Sequence, residues 1–229
     1  MFVWIHIPKT GGTSFAEIFK ASFSSYLSIN GNEGVRDFLA LPVTDRGAYQ
    51  AAGGHMPFGI HRYVDVPCEY AVFLREPVDH MISSYWYMKT RPETPQHEEV
   101  SRMSLTDFAR STAWPFIDNP QTRALMDRDW HKVAVYGDRP KMLTPCTEEW
   151  LAEAITNLDR CDFVGIFERL EEDVARCSQL FGLQHSQLPH LNSTGNRPSV
   201  TDLDEATIGV IRNRLRFDLA LYEAALQRA

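Results

Sequence analysis

The sequence predicts an α/β fold, with a P-loop-type core in which helices flank a central parallel sheet. Three observations support this fold class. An apolar run at residues 2–7 leads into a glycine-containing loop, and apolar side chains at helical spacing follow that loop. Two further apolar runs, at 69–74 and 162–167, are each followed by a segment with helical spacing. Because strands that alternate with helices form parallel sheets, we expect ligands at the carboxyl ends of the strands.

The composition indicates one domain spanning residues 1–229, since 44% of the chain is hydrophobic and this length supports one substantial core. The 23 basic and 30 acidic residues give a net charge of −7, which argues against a surface that binds nucleic acid or another long polyanion. The four cysteines form no CxxC motif or Cys/His cluster. We therefore expect reduced thiols, no disulfide framework and no metal site.

The start of the chain does not have the pattern of a leader peptide, because the first predicted strand begins at residue 2. No apolar run approaches the roughly 18 residues that a membrane span needs. We therefore expect a cytoplasmic protein without a membrane span. The sequence does not indicate an oligomeric state.

The strands and helices are predicted from apolar periodicity and from the residues that bound each run. Strands are predicted at 2–7, 51–56, 69–74 and 162–167. Helices are predicted at about 15–23, 34–41, 77–89, 119–128, 147–158, 170–181 and 201–227. Pro77 is typical of a first helical residue, and Thr201 with Asp204 resembles a capping box.

Three stretches are predicted to lack regular structure over most of their length. Residues 27–50 are interpreted as connecting structure around one short helix. Residues 91–103 are polar and contain prolines, which predicts a mobile loop near an acceptor site. Residues 182–199 form an irregular polar stretch that includes His190 and Arg197.

The glycine loop after the first strand differs from the phosphate loop of nucleoside triphosphatases, in which lysine follows the last glycine. Here Lys9 precedes Gly11 and Gly12. Backbone N–H groups, the hydroxyls of Thr13 and Ser14 and the start of the following helix still suit an anion. Lys9 would approach a 5′-phosphate from the strand side, at a bridging oxygen. A glycine turn with a solvated lysine is the alternative.

Two segments resemble elements of a known family. Residues 7–14 (IPKTGGTS) resemble the 5′-phosphosulfate loop of sulfotransferases that use 3′-phosphoadenosine-5′-phosphosulfate (PAPS). The likeness is to the carbohydrate branch, which includes heparan sulfate 2-O-sulfotransferase. Residues 72–77 (VFLREP), with Ser83 eight residues after Arg75, are similar to that family's 3′-phosphate element. A guanidinium can bind a phosphate with two hydrogen bonds, and a nearby hydroxyl can add a third donor. The alternative is that Arg75 pairs with an acidic residue.

Further segments resemble the same family in the same order along the chain. Gly54-His55 is similar to its Gly-His segment, whose histidine is the general base. Residues 118–123 (DNPQTR) and 163–168 (FVGIFE) look like recurring segments of the branch. Residues 190–194 (HLNST) resemble the late loop that closes over the 3′-phosphate and adenine.

The resemblance implies a role for each matching residue. Lys9 and His55 are the catalytic residues, with Lys9 at the bridging oxygen and His55 as base; a backbone-satisfied histidine is the alternative. The residues assigned to the donor are Lys9, Thr10, Gly11, Gly12, Thr13, Ser14, Arg75, Ser83, Asn192 and Thr194. His61 and Arg123 are candidate acceptor contacts, although Arg123 pairing with an acid is an equal alternative. The runners-up for the base are His61, Glu76 and Asp79. His190 and Arg197 could touch the nucleotide, and Tyr85-Trp86-Tyr87 is interpreted as helix packing.

The resemblance predicts transfer of a sulfuryl group from PAPS to a hydroxyl of a carbohydrate or small molecule by in-line displacement. The product 3′-phosphoadenosine-5′-phosphate (PAP) would leave, and no metal is required. A P-loop kinase of small molecules that uses ATP and Mg²⁺ is the alternative, disfavoured by the missing glycine-lysine-serine order. A non-catalytic anion-binding module would leave Lys9 and His55 without roles. The acidic net charge favours small or weakly charged acceptors.

Overall fold

A parallel five-stranded sheet, with strand order β2-β3-β1-β4-β5, forms the centre of the molecule. The computed structural model describes residues 1–136, 144–184 and 197–229. The strands are β1 (Phe2–Ile5), β2 (Tyr26–Ser28), β3 (Ala51–Gly54), β4 (Glu69–Leu74) and β5 (Phe163–Ile166). Every neighbouring pair runs parallel. The predicted α/β class with a central parallel sheet is confirmed.

Burial on both faces explains why the central strands are apolar along their whole length. All four residues of β1 are buried, and successive side chains enter different cores. Val3 and Ile5 pack into one cluster, whereas Phe2 and Trp4 pack into the other. The sheet therefore needs helices on both faces.

The helices surround the sheet on those two faces and form a third apolar cluster beside it. They are α1 (Gly12–Ser22), α2 (Gly31–Ala40), α3 (Val43–Arg46), α4 (Pro77–Thr90), α5 (His97–Val100), α6 (Leu105–Arg110), α7 (Pro120–Leu125), α8 (Trp130–Tyr136), α9 (Glu148–Asp159), α10 (Leu170–Phe181), α11 (Glu205–Arg214) and α12 (Arg216–Arg228). Helices α1 and α10 cover one face; α2, α7, α8, α9 and α12 cover the other. Helices α4, α6 and α11 share the third cluster. None of the helices in the described ranges is long and apolar enough to cross a membrane.

Three predicted boundaries are wrong. Residues 27–50 were expected to connect other elements. The edge strand β2 begins one residue before this segment and ends inside it. The predicted loop at 91–103 contains the helical turn α5, and Lys89 Nζ ties its end to α4 through the carbonyl of Met103. The predicted final helix is two helices, because the chain leaves helical geometry at Leu215.

The predicted capping box is also displaced. Asp204 caps α11 alone, and its carboxylate accepts the N–H of Thr207 at 2.7 Å. The capping box is formed upstream by Ser199 and Asp202, around a short 3₁₀ turn. The predicted box is therefore wrong for both residues, because Thr201 does not cap the helix and Asp204 is itself the N-cap.

A buried polar network fixes the carboxyl end of β4. The Asp218 carboxylate accepts the N–H groups of Gln121 (3.1 Å) and Thr122 (2.7 Å), together with the Thr122 hydroxyl (2.8 Å). The Gln121 amide in turn pairs with both backbone groups of Arg75, at 2.9 and 2.8 Å. Asn119 accepts the N–H of Asp218 at 3.0 Å. The DNPQTR segment thus positions Arg75.

We expect replacement of Asp218 by asparagine to lower the free energy of unfolding by about 1–3 kcal/mol at pH 7. The N–H₂ group of the asparagine would face one of the buried donors that the carboxylate now accepts. Burial raises the pKa of Asp218 from 3.8 to about 6. Because the folded-state pKa is raised, the stabilisation from protonating Asp218 is full below pH 3.8 and is lost as pH rises through 6. Urea denaturation from pH 4 to 7 should show wild type losing stability relative to the Asp218→Asn variant. A constant difference across that range would contradict the assignment.

Candidate active site

The strand order places a crevice between the carboxyl ends of β1 and β4. The chain builds β2 and β3 on one side of β1, then crosses to β4 on the other side. Such a reversal leaves an open crevice that usually binds ligands in parallel α/β sheets. The loop that carries Lys9 follows β1, and Arg75 follows β4. Arg75 Nη1 donates to the carbonyl of Lys9 at 2.7 Å, so the two predicted phosphate elements are in direct contact.

The loop after β1 has the backbone geometry of an anion site. Lys9 adopts a left-handed conformation (φ 71°), which is strained for a residue with a side chain and clusters at functional sites. Gly11 precedes α1 without a side-chain cap, and the first turn of α1 contains no acidic residue. The first N–H groups of α1 therefore face outward for an anion. The Thr10 hydroxyl instead bonds the Ile7 carbonyl at 2.8 Å and holds the turn.

His6 is a site residue that the sequence reasoning missed. Its ring stacks on Trp4 (4.6 Å between centroids) and lies 4.4 Å from the ring of His55. A Cβ added to Gly12 would lie 1.8 Å from His6 Nε2, so only glycine fits beneath this ring. Burial, then His55 and Lys9, lower the pKa of His6 to about 3. The sequence signal that could have identified His6 was its polar side chain near the end of the apolar run 2–7.

Several cationic side chains lie near the loop that carries Lys9, and two of them, Arg75 and Arg197, share a single carboxylate, that of Asp79. The Asp79 carboxylate accepts from Arg75 Nε at 2.8 Å and from Arg197 Nη2 at 2.7 Å. Arg75 therefore pairs with an acid, as the alternative interpretation expected, yet the pair of arginines keeps a net positive charge. Burial and then Arg75, Arg91 and Arg197 lower the pKa of Lys9 to about 8. Burial is the larger cause of this shift, and the three arginines add a repulsion that a bound anion would relieve.

Ser83 lies one turn beyond Asp79 on α4 and is buried. Among the described residues, its hydroxyl has no hydrogen-bond partner. In the described part of the chain this oxygen is not one of the fully buried atoms that lack a partner, so a ligand or water can reach it. Its position on the helix that follows Arg75 suits the predicted phosphate contact.

The backbone around Gly54 presents His55 at the crevice. Gly54 has φ 141°, and a Cβ there would lie 2.3 Å from the carbonyl oxygen of Ile29. The N–H of His55 donates to Asn30 Oδ1 at 3.0 Å, and its carbonyl accepts from Gly31 at 3.1 Å. The side chain is exposed at the cavity wall, where partial desolvation lowers its pKa below 6.5. His55 is therefore neutral near pH 7 and able to accept a proton.

A cavity of about 730 Å³ opens beside these residues. His6, Lys9 and His55 line it at the carboxyl edge of the sheet, and Tyr87 on α4 forms part of the same wall. The Tyr87 ring centroid lies 4.2 Å from Lys9 Nζ, a cation–π contact. The interpretation of Tyr87 as a helix-packing residue is therefore wrong. Tyr85, in contrast, is buried and donates to the carbonyl of Met103, as expected of a packing residue.

A model of the sulfotransferase family matches residues 1–223. The chain belongs to this family. A crystal structure of a sulfotransferase from Alicyclobacillus acidocaldarius is similar to it, with a TM-score of 0.46 and 13% sequence identity, over 100% of this chain and 96% of that one. No curated protein matches the sequence significantly. Between the two enzyme classes that the loop left open, family membership favours the sulfotransferase over the kinase.

His80 is a second residue of the sulfotransferase site that was not predicted. It is buried and lines the cavity, and its Nε2 donates to the carbonyl of Pro8 at 2.7 Å. Burial lowers its pKa to about 4, so the ring is neutral and its Nε2 carries the proton. His80 therefore positions the loop that presents Lys9.

The sulfotransferase fold does not bring every predicted residue to the cavity. His61 Nδ1 bonds Tyr70 Oη at 2.8 Å near the amino end of β4, away from the lining. Glu76 caps α4 by accepting the N–H of Asp79. Arg123 does line the cavity, but its guanidinium is held by Asp118 at 2.6 Å. The predictions for His190, Asn192 and Thr194 concern residues outside the described part of the chain.

Proposed function

We propose that this sulfotransferase takes its sulfuryl group from PAPS and transfers it to a hydroxyl of an acceptor in the cavity. The observation that carries this proposal is the position of Lys9, which belongs both to the cation-rich loop and to the cavity wall. Pro8 of the same loop also lines the cavity, but Lys9 supplies the charged group at this point. Donor and acceptor would therefore meet at Lys9.

The residues present fit a donor with two separate phosphate groups. The uncapped start of α1 and the loop around Lys9 suit the 5′-phosphosulfate. Arg75 and Arg197, which share Asp79, and the hydroxyl of Ser83 on the same helix as Asp79 suit the 3′-phosphate, because they offer positive charge and a hydrogen-bond donor. ATP lacks a phosphate at that position.

The two catalytic roles follow from charge and protonation. When bound, the donor supplies a sulfuryl group joined to phosphate through a bridging oxygen. Lys9 stabilises the negative charge that develops on that oxygen when the sulfur–oxygen bond breaks. A ring nitrogen of His55 accepts the proton of the acceptor hydroxyl, whose oxygen forms the new bond to sulfur.

Ser83→Ala tests the donor site with little risk to folding, since the hydroxyl has no described partner to lose. We expect PAP to bind about 10- to 100-fold more weakly to this variant, the usual cost of a lost hydrogen bond to a charged group. Calorimetric titration with PAP, ADP and ATP plus Mg²⁺ would measure it, with unfolding curves to confirm unchanged stability. Ser84→Ala, one residue along α4, is the matched control.

Wild type should bind PAP more tightly than ADP, and the preference should shrink in the Ser83→Ala variant but not in the Ser84→Ala variant. Tighter binding of ATP with Mg²⁺ would overturn the proposed donor and favour the kinase. Equal affinity of both variants for PAP would remove Ser83 from the site.

A further inference from the structure

The cavity that Lys9 and His55 enter is walled mostly by apolar side chains. These come from several elements: Val35 on α2, Met56 after β3, Met81 and Met88 on α4, Phe116 before α7 and Val133 on α8. Its volume of about 730 Å³ is that of a site for a small organic molecule. Methionine side chains adapt to irregular apolar ligands.

Charged side chains in this wall are already engaged. Arg123 is held by Asp118, and Arg128 also has a partner. Glu93 lies 3.5 Å from Arg91 in an exposed ion pair. His80 uses its Nε2 proton on the loop carbonyl. Four uncharged polar residues, Asn32, Ser84, Thr94 and Gln96, also line the cavity, and the Thr94 hydroxyl donates to the carbonyl of Arg91 at 2.8 Å. Apolar atoms nevertheless make up most of the lining surface.

We propose that the acceptor is an uncharged, largely apolar alcohol or phenol, bound with its single reactive hydroxyl at His55 and its body against the apolar wall. A sugar would bury several hydroxyls against a lining that is mostly apolar, and each hydroxyl left without a partner costs free energy. An anionic saccharide would in addition meet a protein of net charge −7. The acceptor class rests on the proposed function, because it takes His55 and Lys9 as the reacting end.

Acceptor choice would be measured as transfer from PAPS to three probes: 2-naphthol, N-acetylglucosamine and a chondroitin disaccharide. We expect kcat/KM for 2-naphthol to exceed that for either saccharide by at least about 100-fold, the discrimination that unpaired polar groups support. Calorimetry on the PAP-saturated protein should show binding of 2-naphthol alone. A saccharide sulfated as well as 2-naphthol would overturn the proposal.

Met88→Glu places a carboxylate in the apolar wall at a half-buried position, away from the reacting groups. We expect KM for 2-naphthol to rise at least about 10-fold while the affinity for PAP stays unchanged. Thr90→Glu adds the same charge at an exposed position on α4 outside the lining and should change neither value. An unchanged KM in the Met88→Glu variant would place the acceptor elsewhere.

The donor and acceptor proposals fail in different ways. If PAP binds but no 2-naphthol is sulfated, the acceptor class is wrong while the donor site stands. If PAP itself does not bind, the proposed function is wrong.

Discussion

Replacement of Lys9 by alanine should lower kcat about 10²- to 10³-fold while PAP still binds, because a preorganised cation stabilises charge that develops only in the transition state. The loop keeps its uncapped helix start and the neighbouring arginines in this variant, so the ground-state anion retains most of its contacts. Single-turnover rates and PAP affinity, measured on the same preparation, separate the two effects. Lys20→Ala on α1, an exposed lysine paired with Glu17, is the matched control.

The pH dependence sharpens this prediction. With a pKa lowered to about 8, Lys9 loses its proton above that pH in the free enzyme, so kcat/KM for the donor should fall there. Arginine stays protonated throughout, so the alkaline fall should be absent in the Lys9→Arg variant, at whatever lower rate its altered geometry allows. A wild-type alkaline limb that persists in this variant would assign that limb to another group.

Replacement of His55 by alanine should lower kcat about 10²- to 10⁴-fold, the range for loss of a general base. Burial lowers the pKa of His55 below 6.5, so the acid decline of the wild-type rate should have its midpoint below that pH. The acid limb should disappear in the His55→Ala variant, and added imidazole should restore part of the rate.

His6→Asn is the comparison that tests which of the two neighbouring histidines, His6 or His55, is the base. The His6 ring packs between Trp4 and the glycine loop, and its pKa of about 3 makes it the weaker base. We expect His6→Asn to lower the rate less than His55→Ala does and to leave the acid limb in place. A larger loss in the His6→Asn variant, with the limb abolished, would transfer the base role to His6.

The sequence predicted the elements whose cause is local. Strands β1, β3, β4 and β5 are apolar runs bounded by glycine, proline or charge, and the loop with Lys9 follows directly from the position of its glycines. The three-residue edge strand β2 is only half buried, so periodicity could not reveal it. The break at Leu215 has no glycine or proline to mark it.

The site itself depends on contacts between residues far apart in the chain, which single-sequence patterns do not encode. Arg197 reaches Asp79 across the fold, and His80 reaches the carbonyl of Pro8. The close approach of His6 to Gly12 likewise exists only after β1 and α1 have packed. Sequence motifs could therefore propose the participants, but not which of them are held by protein partners.

The hydrogen bond from Arg75 to the carbonyl of Lys9 has a consequence for nucleotide selection. It joins the end of β4 to the turn after β1, and Gln121 clamps the backbone of Arg75 from behind. We therefore expect the two proposed phosphate positions to keep a fixed separation in the absence of nucleotide. A nucleotide with differently spaced phosphates should bind more weakly, because it would have to distort this edge of the sheet.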